Sequence, residues 1–130
     1  MAIKTKHRTL TVQDIYDLFN TNIIALAAPP AGYVNRILGV THKKIYGGSP
    51  YVESINIYYG ETSGGLNAIY TDDFSTSDAN DYNRTLEMPS VMTPVFCTVD
   101  DFVISASATT TMGNSVIQSY LTYETVLLNT

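Results

Sequence analysis

A chain of 130 residues with one cysteine and a formal net charge of −5 has room for a single domain, spanning 1–130, with a sizeable core and no internal disulfide. Six of its seven Lys and Arg residues lie at or before Lys44, and nine of its twelve Asp and Glu residues lie between Glu53 and Asp101. The acidic total argues against nucleic acid, which needs a concentrated basic face, and no apolar run approaches the roughly 18 residues of a membrane span. The N-terminal residues lack the hydrophobic region of a secretion signal, so maturation in a cytoplasm is expected.

Ile3, Thr5, His7 and Thr9 alternate with Lys4, Lys6, Arg8 and Leu10, a strand whose cationic face is a device of sheet edges. Thr11 is placed to cap a short helix. Asp14 serves as the acidic member of a capping box, and Val12, Ile15, Tyr16 and Phe19 form one apolar stripe. The next stretch, Asn22 to Val40, is the expected centre of the fold. Two apolar runs flank Pro29-Pro30-Ala31-Gly32, and they read as a hairpin of buried strands meeting at a Pro-Gly corner. The second strand continues to Tyr46, sandwiched as far as Val40 and emerging into solvent at Thr41-His42-Lys43-Lys44. Gly47-Gly48-Ser49-Pro50 is a turn.

Tyr51 to Tyr59 alternates with Ile55, Ile57 and Tyr59 inward, a half-buried strand. Gly60 to Gly65 reads as a loop, Leu66 to Tyr70 as a short strand, and Thr71 to Tyr82 as the one long irregular segment, acidic and exposed. Tyr82 to Met88 is an edge strand and Val91 to Phe96 is extended, with Cys97 beside it as a small buried hydrophobe. Asp101 to Ala108 places Phe102, Ile104 and Ala106 inward. After a turn at Thr109 to Asn114, Ser115 to Leu128 closes the fold with Ile117, Leu121, Tyr123 and Leu127 on one face. About seven or eight strands with turn signals roughly every ten residues predict an all-β fold. The preferred form is a jelly-roll-like two-sheet β-sandwich with one short helix near the N-terminus.

Signatures of chemistry are sparse. His7 and His42 have no carboxylate or cysteine at ligand spacing, and no nucleophile elbow, P-loop or dinucleotide fingerprint is present. Neither catalysis nor a cofactor is expected. Asn83-Arg84-Thr85 matches a glycosylation sequon by chance in a chain without a secretion signal. Asp72, Asp73, Asp78 and Asp81 crowd hard oxygen ligands into one segment, but without the order of an EF-hand they are weak calcium candidates and no metal is expected. Tyr46, Tyr51, Tyr58, Tyr59 and Tyr70 suggest either a sugar-binding face or core and interface positions.

Three stretches together resemble a family of small tailed-phage virion proteins. They are Leu10-Thr11-x-x-Asp14-Ile15-x-x-Leu18 leading to Asn22-Ile23-Ile24-x-Leu26-x-Ala28-Pro29-x-Ala31-Gly32, then Tyr46-Gly47-Gly48-Ser49-Pro50-Tyr51, then Val103 to Ala108 running through Gly113-Asn114 to a last strand with Tyr123. The chain departs from the family pattern in having Pro30 where a glycine is usual and Tyr33 where a lysine is common. The resemblance implies a non-enzymatic capsid decoration or auxiliary protein, made in the host cytoplasm and placed on the outer surface of the virion. Its implied partners are the major capsid protein and copies of itself, expected as a trimer. The competing expectation is a tail or fibre-associated module that binds a host receptor or glycan. For partner contact the candidates are the cations Lys4, Lys6 and Arg8, which suit an acidic lattice surface, and Tyr33, Tyr46, Tyr58 and Tyr120, which suit interface cores.

Overall fold

Residues alternating between apolar and polar fold into nine strands and one helix in the computed structural model, which describes residues 3–49, 56–61, 67–73, 81–86, 96–110 and 113–128. In chain order these are β1 (Lys4–Leu10), α1 (Val12–Asp17), β2 (Ile23–Leu26), β3 (Tyr33–Ile45), β4 (Asn56–Glu61), β5 (Asn67–Asp73), β6 (Tyr82–Leu86), β7 (Phe96–Thr98), β8 (Phe102–Ala106) and β9 (Val116–Leu127). The expected strands at Tyr51–Ile55 and Val91–Val95, and most of the expected acidic loop, lie outside the described residues.

Two antiparallel sheets form the body. One runs β1-β9-β3-β6, with β7 pairing the other half of β3; the second runs β2-β8-β4-β5. β7 pairs Asn35 to Ile37 and β6 pairs Val40 to Lys44, so the two short strands together do the work of one. The pairings β1 with β9, β2 with β8, β3 with β6 and β7, and β4 with β5 nest inside one another. This is a long antiparallel ribbon, with its tip at β4 and β5, rolled so that successive strand pairs fall alternately into two sheets. The fold is therefore a jelly-roll β-sandwich. Leu10, Ile37, Val40, Ile57, Tyr59, Phe102, Ile104, Ile117 and Leu121 fill the space between the sheets, each at most 2% exposed.

The Asn22–Val40 stretch is central, but it is not a hairpin. β2 pairs β8 in one sheet and β3 pairs β9 in the other, so the Pro29-Pro30 corner carries the chain across the sandwich. Neither proline can donate a ladder hydrogen bond, which disfavours direct pairing through the corner. Gly32 turns with φ of +88°, the Tyr33 N–H bonds the Pro30 carbonyl at 3.0 Å, and Leu128 ties the corner to the C-terminal end of β9.

α1 begins as its cap predicts: the Thr11 side chain accepts from the Asp14 N–H at 3.2 Å, and the Asp14 carboxylate accepts from the Thr11 N–H at 3.0 Å. It ends within two turns, because the Asn20 and Thr21 N–H groups both fold back on the Asp17 carbonyl. Ile15 and Leu18 are therefore the buried anchors, while Phe19, expected on the stripe, is 50% exposed. Two further expectations are corrected. β4 continues through Gly60 and Glu61 because both pair with β8 and β5. Cys97 is exposed rather than buried, on the side of β7 opposite the inward-facing Thr98.

A bulge in β3 has the largest consequence. Ile37 pairs with Tyr123 and Gly39 with Thr122, which leaves Leu38 as an extra residue. One extra residue reverses which parity faces the core. Before the bulge Asn35 and Ile37 are buried; after it Val40, His42 and Lys44 are, and Ile45 is left 40% exposed. The expected emergence of Thr41 to Lys44 into solvent is thus wrong for two of its four residues.

The packing makes a direct prediction. Ile37→Ala and Leu26→Ala should each cost about 2–5 kcal/mol through lost transfer energy and the cavity left behind, whereas Ile45→Ala should stay within about 0.5 kcal/mol. Urea denaturation of the three variants checks it, and equal midpoints would contradict the assigned inner face.

Candidate functional site

The bulge delivers His42 and Lys44 into a polar cluster held between the sheets. β3 supplies His42, β6 supplies Tyr82 and Arg84, and β9 supplies Ser119; from the opposite sheet come Tyr59 on β4 and Asp72 on β5. The Asp72 carboxylate is the hub. Its Oδ2 accepts from His42 Nδ1 at 2.7 Å and from the Tyr82 hydroxyl, and its Oδ1 accepts from Arg84 Nη1 at 2.6 Å. On the far side of the imidazole, Nε2 meets the Tyr59 hydroxyl, which lies 2.6 Å from Ser119 Oγ. A neutral ring satisfies every partner. Nδ1–H donates to the carboxylate, Nε2 accepts from Tyr59, and Tyr59 accepts from Ser119. Arg84 lies 4.1 Å from the centre of the Tyr82 ring and Lys44 Nζ 5.5 Å from it, both within cation–π range.

Charge here is matched at close quarters. Burial pushes the Asp72 carboxyl up, but the hydrogen bonds from His42 and the Tyr82 hydroxyl and the charge of the Arg84 guanidinium outweigh it and hold the carboxyl below its usual range. Burial first, and then the neighbouring Asp72 charge, pushes both the Tyr59 and Tyr82 hydroxyls well above the ordinary phenol range. The set contains Ser, His and Asp, yet it is not a triad. Ser119 touches Tyr59 rather than His42, and His42, Asp72 and Ser119 are 0%, 0% and 3% exposed. In this geometry the groups join the sheets and present no reactive atom to a solvent-borne molecule.

None of these roles was visible to sequence reasoning. Asp72 was expected in an exposed irregular segment, but β5 runs on to Asp73 and turns Asp72 inward in step with Tyr70. Of the other weak calcium candidates, Asp81 is exposed and accepts the Tyr46 N–H at 2.7 Å, Asp73 ends β5, and Asp78 lies outside the described residues. Among the described residues no three His, Cys, Asp or Glu side chains are placed to share an ion. The shared parity of Tyr70 with Asp72, and of Tyr82 with Arg84, was the available signal.

The candidate contact residues divide differently. Lys4, Lys6 and Arg8 stand opposite Tyr123, Leu121 and Ser119 of β9, so their side chains project from the core-facing side of the sheet, as Leu10 does opposite Ile117. Leu10 is buried, but every residue from Lys4 to Thr9 is exposed, because β1 runs out past the covered core. On the outer side His7 stacks on Tyr120, ring centres 4.7 Å apart. Tyr58 faces outward from the opposite sheet, while Tyr33 and Tyr46 sit at the two ends of β3, all half-buried. These four tyrosines do not converge on one patch. Tyr59 and Tyr70 pack on Phe102 inside the core, at 6.1 and 6.4 Å between ring centres, and so cannot line a sugar-binding face; Tyr51 lies outside the described residues.

No family model and no curated protein matches this chain. Among solved structures it is similar to a chain of the acidic stable capsid structure of Helicobacter pylori bacteriophage KHP30, with a TM-score of 0.60 and 13% identity, over 100% of this chain and 95% of that one. At that identity the likeness is one of fold, and it extends over the whole jelly roll.

The buried cluster sets limits at both ends of the pH scale. Asp72, held low in the fold, contributes stability that is complete above its unfolded pKa of about 3.9 and is lost as pH falls through the folded value. Tyr59 and Tyr82, held neutral, contribute stability that is complete below about pH 10 and is lost as pH rises beyond it. Asp72→Asn should flatten the acid limb of a stability–pH curve, and Asp72→Ala should cost about 3 kcal/mol or more by stranding the Arg84 charge and the His42 and Tyr82 donors. In an alkaline absorbance titration Tyr59 and Tyr82 should ionise only together with cooperative unfolding. Full tyrosinate absorbance in a chain with native near-ultraviolet dichroism would contradict the assignment.

Proposed function

We propose that this chain is a non-enzymatic structural protein of a bacteriophage virion, a decoration or auxiliary subunit bound to the outside of the major capsid lattice after synthesis in the host cytoplasm. The observation that carries the reading is the end-to-end likeness of fold to a chain of a phage capsid structure. The molecule's chemistry agrees with it. Its buried cluster of coupled ionisable groups, among the described residues, is spent on joining the two sheets. Its exposed cations are concentrated on β1, where Lys4, Lys6 and Arg8 stand clear of the body and would steer the subunit to an acidic lattice surface.

Self-association, with three copies as the favoured number, belongs to the same reading. Ile24 on the edge strand β2, and Val99, Leu127 and Leu128, are each about half exposed, apolar surface that closed symmetric contact would cover. Tyr33 stands beside Leu127 in the ladder.

Mass spectrometry of purified particles should find the chain at a copy number comparable with capsid subunits, and a reconstruction should place it on the outer surface. Light scattering of the purified protein should give three chains. Binding to undecorated capsids should weaken with added salt and fail when Lys4, Lys6 and Arg8 are all changed to Glu. Particles that lack the protein would overturn the virion reading, and capsid binding indifferent to the three charges would overturn the assignment of β1.

A further inference from the structure

The cationic strand has a property that charge alone does not explain. β1 pairs β9 along one edge over all seven of its residues, and among the described residues no strand pairs with the other edge. Its first six residues are exposed on both faces, so for most of its length it is held by its ladder with β9 and the stacking of His7 on Tyr120. A strand in that position leaves a row of backbone donors and acceptors open. Among the described residues Lys4, Lys6 and Arg8 make no ion pair, and they recur on one face at alternate positions, about 6.7 Å apart.

We propose that the free edge of β1 is a strand-addition site. It takes an extended segment of a different protein that carries carboxylates at every second residue. The spacing makes the match. In an added strand, residues i, i+2 and i+4 share one face with the same repeat as the three cations, so each carboxylate stands across from one cation while the backbones close the ladder. The same geometry disfavours a second copy of β1, whose seven residues carry no carboxylate. An antiparallel β1–β1 pair would set both rows of cations on one face, against each other, and like charges directly opposed are destabilising. Nor does another part of this chain fit, because none of its twelve acids is separated from another by a single residue. The partner is therefore a distinct chain, and the added strand gives β1 the second neighbour it lacks. This inference rests on β1 being the docking element of the proposed subunit and specifies how that element binds.

The test uses the full protein and a synthetic, end-capped heptapeptide alternating Thr and Glu, with Glu at its even positions, labelled for fluorescence anisotropy. The peptide should bind at low salt, and Lys6→Glu should weaken binding about tenfold or more, with unchanged far-ultraviolet dichroism showing that the variant is folded. Two N-methylated peptides separate strand pairing from simple charge attraction, one methylated at the Glu nitrogens and the other at the Thr nitrogens. Successive N–H groups of a strand point to opposite edges, so pairing requires that one methylated peptide lose binding and the other keep it. Hydrogen exchange should likewise slow at alternate amides of Lys4 to Thr9. Equal binding of both methylated peptides, or no binding of the parent peptide, overturns the proposal. If the peptide fails while capsid binding still depends on the three cations, strand addition falls and the virion reading stands.

Discussion

The sandwich depends on one buried carboxylate. Asp72 enters from one sheet and receives hydrogen bonds from His42, Tyr82 and Arg84 of the other, so the sheets are joined by directional, charge-assisted contacts as well as by apolar packing. Apolar contact between two faces tolerates sliding, whereas a carboxylate with three donors in fixed positions does not. The cluster therefore selects one relative placement of β5 against β3 and β6. That selection has an energetic cost, because a buried ion group gains little net stability and any missing member leaves its partners stranded. The arrangement suits a part that must present one rigid shape.

At the opposite flank the constraint is relaxed. β1 runs outside the core until Leu10, as a strand exposed on both faces from Lys4 to Thr9, with cations where a core strand would carry apolar side chains. Those cations lie on the inner side of the sheet, a placement that keeps a free edge from pairing with its own kind. The molecule thus keeps a buried charge cluster apart from an exposed basic edge strand. One set of coupled charges is enclosed between β3, β5 and β6, and three exposed cations, Lys4, Lys6 and Arg8, stand on an edge strand that among the described residues pairs with β9 alone. The jelly-roll topology permits this division because its first strand occupies a sheet edge.

Much of the fold was legible in the sequence. The Thr11–Asp14 capping box, the turn glycines at 32 and 48, the inward residues of β8, the alternation in the first half of β9 and the sandwich class all follow from local chemistry, because caps, positive φ and period-two patterns act over a few residues, whereas the burial of Val103 and Ser105 on the other face of β8 does not. The cationic face of β1 was legible for the same reason. The error at Pro29-Pro30 was of another kind. The corner was recognised, but a corner between two strands looks alike whether they pair or cross to separate sheets.

The sequence by itself determined an all-β chain with one capped helix, a charge-poor body and a basic first strand, because composition and short-range periodicity specify those directly. Only the tertiary structure decided that His42, Lys44 and Asp72 are interior. The burial of His42 and Lys44 hangs on the extra residue Leu38, which reverses the facing of all that follows it in β3, and that of His42 and Asp72 on partners 10 to 30 positions away. A charged side chain reads as exposed until its counter-charges are located. The pairing that locates them, β3 with β6 against β5, is a property of the rolled ribbon and of no single segment.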